Sequence, residues 1–362
     1  MRIDIDGAAL ADALANGAYE SKSTLPVIGC ALIEAMDGQV RLLTTDTEAF
    51  CSATIKAKVT TPGRICATAD LLKAAAREGS LKLTLDAARG VLLAVPQSGS
   101  KLRIPTLPAE DFPVPDEKID WQRIEVAGPD FARAVRAVSY AAATGGKFSP
   151  NYFSVGVSAG TVAATNGHRG AIAAVDYSGP GFIIPSSQVH TLLPLLAAAN
   201  ATVELGGFGG RINMVRAVTP DRTCTVRLIE GTPLDCRGVL LRGFGDDAYC
   251  ATFDRAKLLT AIKQFLPFCS RKDDAAILRA ADGAAQIADA TDGSEENCSW
   301  ALGELVQPLN FPVRLDYLAT ALGSIDEEKV RAFVLPGPPR LVLQPVVKEG
   351  EPDFHVIAGV NL

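Results

Sequence analysis

Short apolar alternations followed by stretches of helical period recur along the chain. At the start, Ile3-Asp4-Ile5 alternates as a strand does, and Ala9-Leu10-Ala11-Asp12-Ala13-Leu14 continues as a helix. The same order returns in Ile124-Glu125-Val126 with Phe131-Ala132-Arg133-Ala134-Val135, and again in Ala251-Thr252-Phe253 with Leu258-Leu259-Thr260-Ala261-Ile262. Taking Leu10, Phe131 and Leu258 as equivalent gives offsets of 131 − 10 = 121 and 258 − 131 = 127 residues. A repeat of this kind points to one structural unit used three times.

A second set lies further into each copy: Ile65-Cys66-Ala67 before Leu71-Leu72, Ile183-Ile184-Pro185 before Val189-Leu192-Leu193, and Phe311-Pro312-Val313 before Leu315-Leu318-Leu322. Here Leu71, Val189 and Tyr317 align, so each copy consists of two strand-helix halves. Asp37-Gly38, Ala159-Gly160 and Asp282-Gly283 precede alternating runs and read as hairpin turns. The expected fold class is therefore α+β, in three similar domains of two helices packed on antiparallel strands. Their spans are 1–116, 117–243 and 244–362, with boundaries at the turn-rich stretches Pro113-Val114-Pro115-Asp116 and Arg242-Gly243-Phe244-Gly245.

One turn combines position with chemistry. The run Thr161 to Ala164, the hexapeptide Thr165-Asn166-Gly167-His168-Arg169-Gly170 and the run Ala171 to Val175 read as a β-hairpin, with Gly167 free to take a positive φ. It projects His168 and Arg169, the one adjacent His-Arg pair in the chain, from a rigid turn. Taken alone, such a turn is also an ordinary solvated one. Gly206-Gly207-Phe208-Gly209-Gly210 lacks the Lys-Ser/Thr of a phosphate cradle and reads as a second hairpin turn before the strand Arg211-Ile212-Asn213-Met214.

Composition narrows the function classes. With 48% hydrophobic and 21% charged residues the 362-residue chain is globular, and no apolar run approaches the roughly 20 residues of a membrane span. The N-terminus lacks a signal-peptide core, so a cytoplasmic location is expected. The eight cysteines stand singly and only three histidines accompany them, which argues for buried thiols and against a metal site or a disulfide framework. No cofactor is expected. The net charge of −6 excludes a protein that coats nucleic acid by its overall charge, so DNA contact needs a local basic surface. His168, His190 and His355 have no nucleophile beside them, and Asp246-Asp247, Asp273-Asp274, Glu295-Glu296 and Glu327-Glu328 read as solvated surface, so no catalytic residue is expected.

The motifs Thr24-Leu25-Pro26-Val27-Ile28-Gly29, Leu42 to Asp46, Thr106-Leu107-Pro108-Ala109-Glu110-Asp111-Phe112-Pro113 and Ala164-Thr165-Asn166-Gly167-His168-Arg169, in this order within a threefold repeat, resemble the bacterial DNA polymerase III β subunit family, the sliding clamps. The resemblance runs over essentially the whole chain and weakens toward the C-terminus. It implies a non-catalytic processivity factor: a head-to-tail homodimeric ring, domain one against domain three of the partner, encircling duplex DNA without regard to sequence. Further partners implied are the polymerase III α subunit, the clamp loader and other clamp-motif peptides, with no membrane. Residues expected to face DNA are Lys22, Lys73, Arg77, Arg133, Arg136, Lys147, Lys257, Lys263 and Arg314. The first helix departs from this pattern, offering Asp12 and Asn16 where a basic face is expected.

The resemblance also implies a pocket for client peptides, built from Tyr152, Thr165, Gly167, His168, Arg169, Leu234, Val239, Tyr317, Val356, Ala358 and Val360. Gly170 stands where the family has a large apolar residue, and Pro233-Leu234-Asp235-Cys236-Arg237-Gly238 and Ile357-Ala358-Gly359-Val360-Asn361-Leu362 depart from the family segments. A wider, shallower pocket with altered client specificity is the expectation. The alternative is a clamp-like paralogue that acts as an interaction or regulatory protein.

Overall fold

The computed structural model describes residues 1–76, 79–114, 118–144, 150–208, 211–269, 275–289, 298–301 and 304–360. The chain divides into two compact units, Met1–Pro129 with Gln188–Leu228, and Asp130–Ser187 with Ile229–Leu362. Mixed helix and antiparallel strand fill both, as the patterning predicts. Seven α-helices occur among the described residues: α1 Gly7–Ala15, α2 Ala69–Ala75, α3 Gly128–Ser139, α4 Ser186–Leu196, α5 Cys236–Leu240, α6 Arg255–Phe265 and α7 Leu315–Gly323.

The first unit is organised by a 12-stranded antiparallel sheet. Along it, strand Ala49–Thr61 buries Ala49, Cys51, Ala53 and Ile55 at period two. The N-terminal strand Arg2–Asp6 pairs on one side with Ser80–Asp86 and on the other with the far end of Ala49–Thr61, so the first eight strands close on themselves. Ile3, Ile5, Leu10, Leu14 and Leu72 pack inside with the strand residues Leu42, Leu83 and Ile104. Beyond Ala49–Thr61 the sheet continues through Arg222–Arg227, Arg211–Val218, Thr202–Phe208 and Asp120–Ile124. Thr202–Phe208 and Arg211–Val218 pair as the hairpin expected of the glycine-rich stretch. A Cβ on Gly207 would fall 1.7 Å from the Arg211 carbonyl oxygen, which is the close approach that requires glycine there.

The second unit holds a nine-stranded and a four-stranded sheet. In the larger one the hairpin Thr161–Thr165 and Arg169–Ala174 lies beside the C-terminal strand Phe354–Ala358, followed by Arg340–Pro345, Lys329–Leu335 and Tyr249–Asp254. The turns Asp37-Gly38 and Asp282-Gly283 have φ of 50 and 78° and of 51 and 76°, the two successive positive values that a tight two-residue hairpin needs.

Helix registers follow the repeat. Leu10, Phe131 and Leu258, the fourth residues of α1, α3 and α6, are 1, 1 and 0% exposed. In the second set the register moves by one residue in two copies. Leu72, Val189 and Leu318 are the buried equivalents, whereas Leu71 is 45% exposed and Tyr317 half-buried. Asp6 caps α1 by accepting from the Ala8 and Ala9 amides at 3.4 and 3.3 Å, and Asp254 caps α6 by accepting from the Lys257 amide at 2.9 Å. On α6, Leu258, Ala261, Ile262 and Phe265 are buried at helical spacing, leaving Lys257, Thr260 and Lys263 exposed.

Two neighbouring substitutions test this register. Leu258→Ala lowers the unfolding free energy by about 3 kcal/mol, because it leaves a cavity in a closed core. Lys257→Ala, on the solvent side, stays within about 0.5 kcal/mol. Urea titration of each variant measures the difference, and equal effects would overturn the assignment of faces.

Candidate functional site

The Thr165–Arg169 turn is held by its own side chains. Thr165 Oγ1 accepts from the Gly167 amide at 3.1 Å and donates to the Arg169 carbonyl at 2.7 Å. Asn166 Oδ1 accepts from the His168 and Arg169 amides, each at 2.9 Å. Gly167 sits at φ 88°, with the Tyr152 ring 3.9 Å from where a Cβ would be. The His168 carbonyl accepts from the Ala358 amide at 2.8 Å, and Arg169 and Gly170 pair with Ile357 and Val356 across the sheet. Turn and C-terminal strand are one hydrogen-bonded piece, from which the His168 side chain stands exposed.

Arg169 is engaged inside this unit. Its guanidinium lies 4.7 Å from the Tyr317 ring centroid and 5.4 Å from that of Tyr140, and Nη1 donates to Thr320 Oγ1 at 2.9 Å. Tyr317 and Thr320 are both on α7, so the arginine ties the turn to that helix. Tyr140 in turn shares a 2.9 Å hydrogen bond with His355 Nδ1, and the two rings stack at 5.8 Å. His355 is 1% exposed, and burial pushes its pKa down to about 3 and that of Tyr140 up.

The space opened at Gly170 is filled from within. A Cβ there would lie 2.3 Å from Leu240 Cδ1, so Leu240 occupies the room that a larger residue at position 170 would take. Arg340, 9% exposed, fixes that segment: Nη1 donates to the Val239 and Leu240 carbonyls at 3.0 Å each, and Nη2 to the Arg242 carbonyl at 2.9 Å. These are the unsatisfied carbonyls at the end of α5, where a cation is favoured. The widening expected from Gly170 is absent at this point. Leu234 and Val239 are exposed beside it, Ala358 and Val360 are half-buried, and Val356 lies in the core with Ile172, Phe333 and Phe354. A cavity of about 10 Å³ under Thr165 and Leu234 has room for no more than one water.

The basic residues divide into two groups. Lys22, Lys73, Arg136, Lys257 and Lys263 are exposed and without an ionic partner among the described residues. Arg133 instead pairs with Asp353 at 2.9 Å and donates to the Ala174 carbonyl at 2.7 Å. Burial raises the pKa of Asp353 despite this partner. Arg314 forms a two-pronged pair with Asp316 at 3.1 and 2.8 Å and lies 4.3 Å over the Tyr317 ring. Arg77 and Lys147 lie outside the described residues, as do Asp273-Asp274 and Glu295-Glu296. On α1 the acidic residue is offset from elsewhere in its unit, because Asp12 pairs with Arg222. Sequence reading missed Tyr140, Leu240, Arg340 and Arg222, whose roles come from residues far away in the chain.

No described helix is long and apolar enough to cross a membrane. Among the described residues Cys30, Cys51, Cys66, Cys224, Cys236, Cys250 and Cys269 are buried thiols.

The sequence profile described as DNA polymerase III beta subunit, N-terminal domain, matches residues 1–116. Over 339 residues the chain is 27% identical to the beta sliding clamp of Pseudomonas aeruginosa, covering 89% of each. It is 25% identical to the beta sliding clamp of Caulobacter vibrioides, covering 96% of each. The crystal structure of the DNA polymerase III subunit beta from Pseudomonas aeruginosa superposes with a TM-score of 0.80 at 24% identity, covering 100% of both chains.

The buried histidine sets a pH dependence. With a folded pKa of about 3 against 6.5 unfolded, His355 is neutral in the fold while the unfolded chain takes up a proton between those values, so stability falls as pH drops from 6.5 toward 3. At pH 4.5 the loss from this residue is about 2–3 kcal/mol. His355→Phe flattens this part of the curve, which urea midpoints at pH 7.5 and 4.5 measure. Parallel curves for the two proteins would refute it.

Proposed function

We propose that the chain is a divergent member of the bacterial DNA polymerase III β subunit family, the β sliding clamps, and acts as a DNA polymerase processivity factor. It does no chemistry of its own. Two copies close head to tail around duplex DNA in the cytoplasm, and the ring tethers the replicative polymerase and other clients. The exposed cations Lys73, Arg136, Lys257 and Lys263 on α2, α3 and α6, without an ionic partner among the described residues, supply weak, sequence-independent phosphate contacts, which suit a ring that must slide. They also account for DNA contact by a protein of net charge −6. Arg133 and Arg314, engaged with Asp353 and Asp316, serve packing more than DNA.

The observation that carries the client-binding part is the joining of the Thr165–Arg169 turn to the C-terminal strand, with His168, Leu234 and Val239 exposed around it. An apolar rim with a few fixed polar groups suits a short extended peptide that offers leucine and aromatic side chains. Leu240 over Gly170 makes this groove shallower at that point and shifts client choice. Three domains, with spans 1–116, 117–243 and 244–362, remain the organisation we propose for each copy.

Fluorescent client peptide of the Gln-x-x-Leu-x-Phe kind, titrated against a sample whose mass is read by light scattering, tests the reading. A dimer is expected, binding the peptide and losing affinity in His168→Ala with Arg169→Ala. Leu240→Ala, by vacating the space over Gly170, raises peptide affinity. A monomer that ignores the peptide sinks the processivity reading, and a dimer that ignores it moves the clients elsewhere.

A separate experiment addresses DNA. Replacing Lys73, Arg136, Lys257 and Lys263 together by alanine removes these four cations from each copy of the ring and flattens the slope of log affinity against log salt by as much as about 7. Arg133→Ala leaves the slope unchanged and lowers the melting temperature. The opposite pattern would reverse the two assignments.

A further inference from the structure

Two thiols that neither DNA nor peptide binding uses face each other in the first unit. Cys51, in strand Ala49–Thr61, and Cys224, in strand Arg222–Arg227, are directly opposite in antiparallel register. Their Sγ atoms are 3.2 Å apart, and the residues are 8 and 3% exposed. Directly opposed residues of an antiparallel pair have Cα atoms about 4.5–5.5 Å apart, inside the range a disulfide spans, so the backbone is already placed for a bond. Side-chain rotation of about an ångström is what remains.

An oxidant can be accommodated beside them. A cavity of about 60 Å³ is lined by both cysteines and by Asn16, Thr44, Thr191 and Arg222. That is room for about two waters, hence for one hydrogen peroxide molecule, with Asn16, Thr44, Thr191 and Arg222 as hydrogen-bonding groups beside apolar walls from Leu42, Ala53 and Leu195. The contact with the Cys51 sulfur, together with burial, holds the Cys224 thiol well above its ordinary pKa. Reaction is therefore slow at neutral pH and quickens as pH rises.

We propose that Cys51 and Cys224 form a redox-dependent cross-strand disulfide, made by a hydroperoxide. One thiol attacks the peroxide O–O bond, giving a sulfenic acid and one water. The other thiol then attacks that sulfur, forming the S–S bond and releasing a second water, so two thiols are oxidised and one peroxide is reduced. The link joins segments 173 residues apart, at the place where the eight closed strands meet the remaining four. It makes that joint covalent and closes a long loop in the unfolded chain.

Full-length protein treated with hydrogen peroxide, then alkylated under denaturing conditions and mapped by mass spectrometry, decides the matter. The expected result is a single linked peptide pair containing Cys51 and Cys224, two hydrogens lighter than the reduced pair, formed faster at pH 9 than at pH 7 and reversed by dithiothreitol. The oxidised protein melts higher by about 5 °C or more. Cys51→Ala and Cys224→Ala each abolish the link; if either variant misfolds, the wild-type map and its reversal decide alone. Recovery of both cysteines fully alkylated, or each oxidised to sulfinic acid without a link, would overturn the proposal.

Discussion

Backbone hydrogen bonding between Arg169–Ala174 and Phe354–Ala358 is the constraint on which the surface of the second unit depends. A buried strand must pair its amides and carbonyls, and here each segment supplies the other's partners. Everything polar nearby inherits its place from that pairing. Ala358 donates to the His168 carbonyl, Arg340 on the next strand reaches the end of α5, and His355 meets Tyr140. If the ladder slipped by one residue, His355 would point to the opposite face and its burial would be lost.

Electrostatics in this unit work by engagement more than by number. Arg169, Arg314 and Arg340 lie partly or wholly out of water, and each is met by aromatic faces, a carboxylate or carbonyl oxygens. The planar guanidinium suits such settings, because it stacks and donates in a fork at the same time. The lysines on α2 and α6 carry no such engagements among the described residues and are exposed. These three arginines thus stitch the fold, while the lysines, like Arg136, stand in solvent.

Legibility from sequence followed the range of the interaction. Asp37-Gly38, the Thr165–Arg169 turn and the first-helix register were readable because a few neighbouring residues decide them. The second register was displaced where two apolar residues stand together, as in Leu71-Leu72, since pattern alone cannot say which one faces inward. Tyr317 misled for another reason: its ring is half-covered by arginines, so it is neither core nor open surface. Arg133 looked like a free cation because its partner, Asp353, is 220 residues away. The exchange of volume between Gly170 and Leu240 left no local mark, so absence of bulk at one position looked like an empty groove.

The pairing of Arg169–Ala174 with the C-terminal strand also governs the order in which the chain can complete itself during synthesis. The hairpin leaves the ribosome early, and its outer strand has bare amides and carbonyls until residues near the end emerge. For that interval the chain carries an open sheet edge of buried-type residues, Ala171, Ile172 and Ala173 among them. A message truncated shortly before Phe354 would produce a protein whose first unit is whole and whose second unit exposes an adhesive seam.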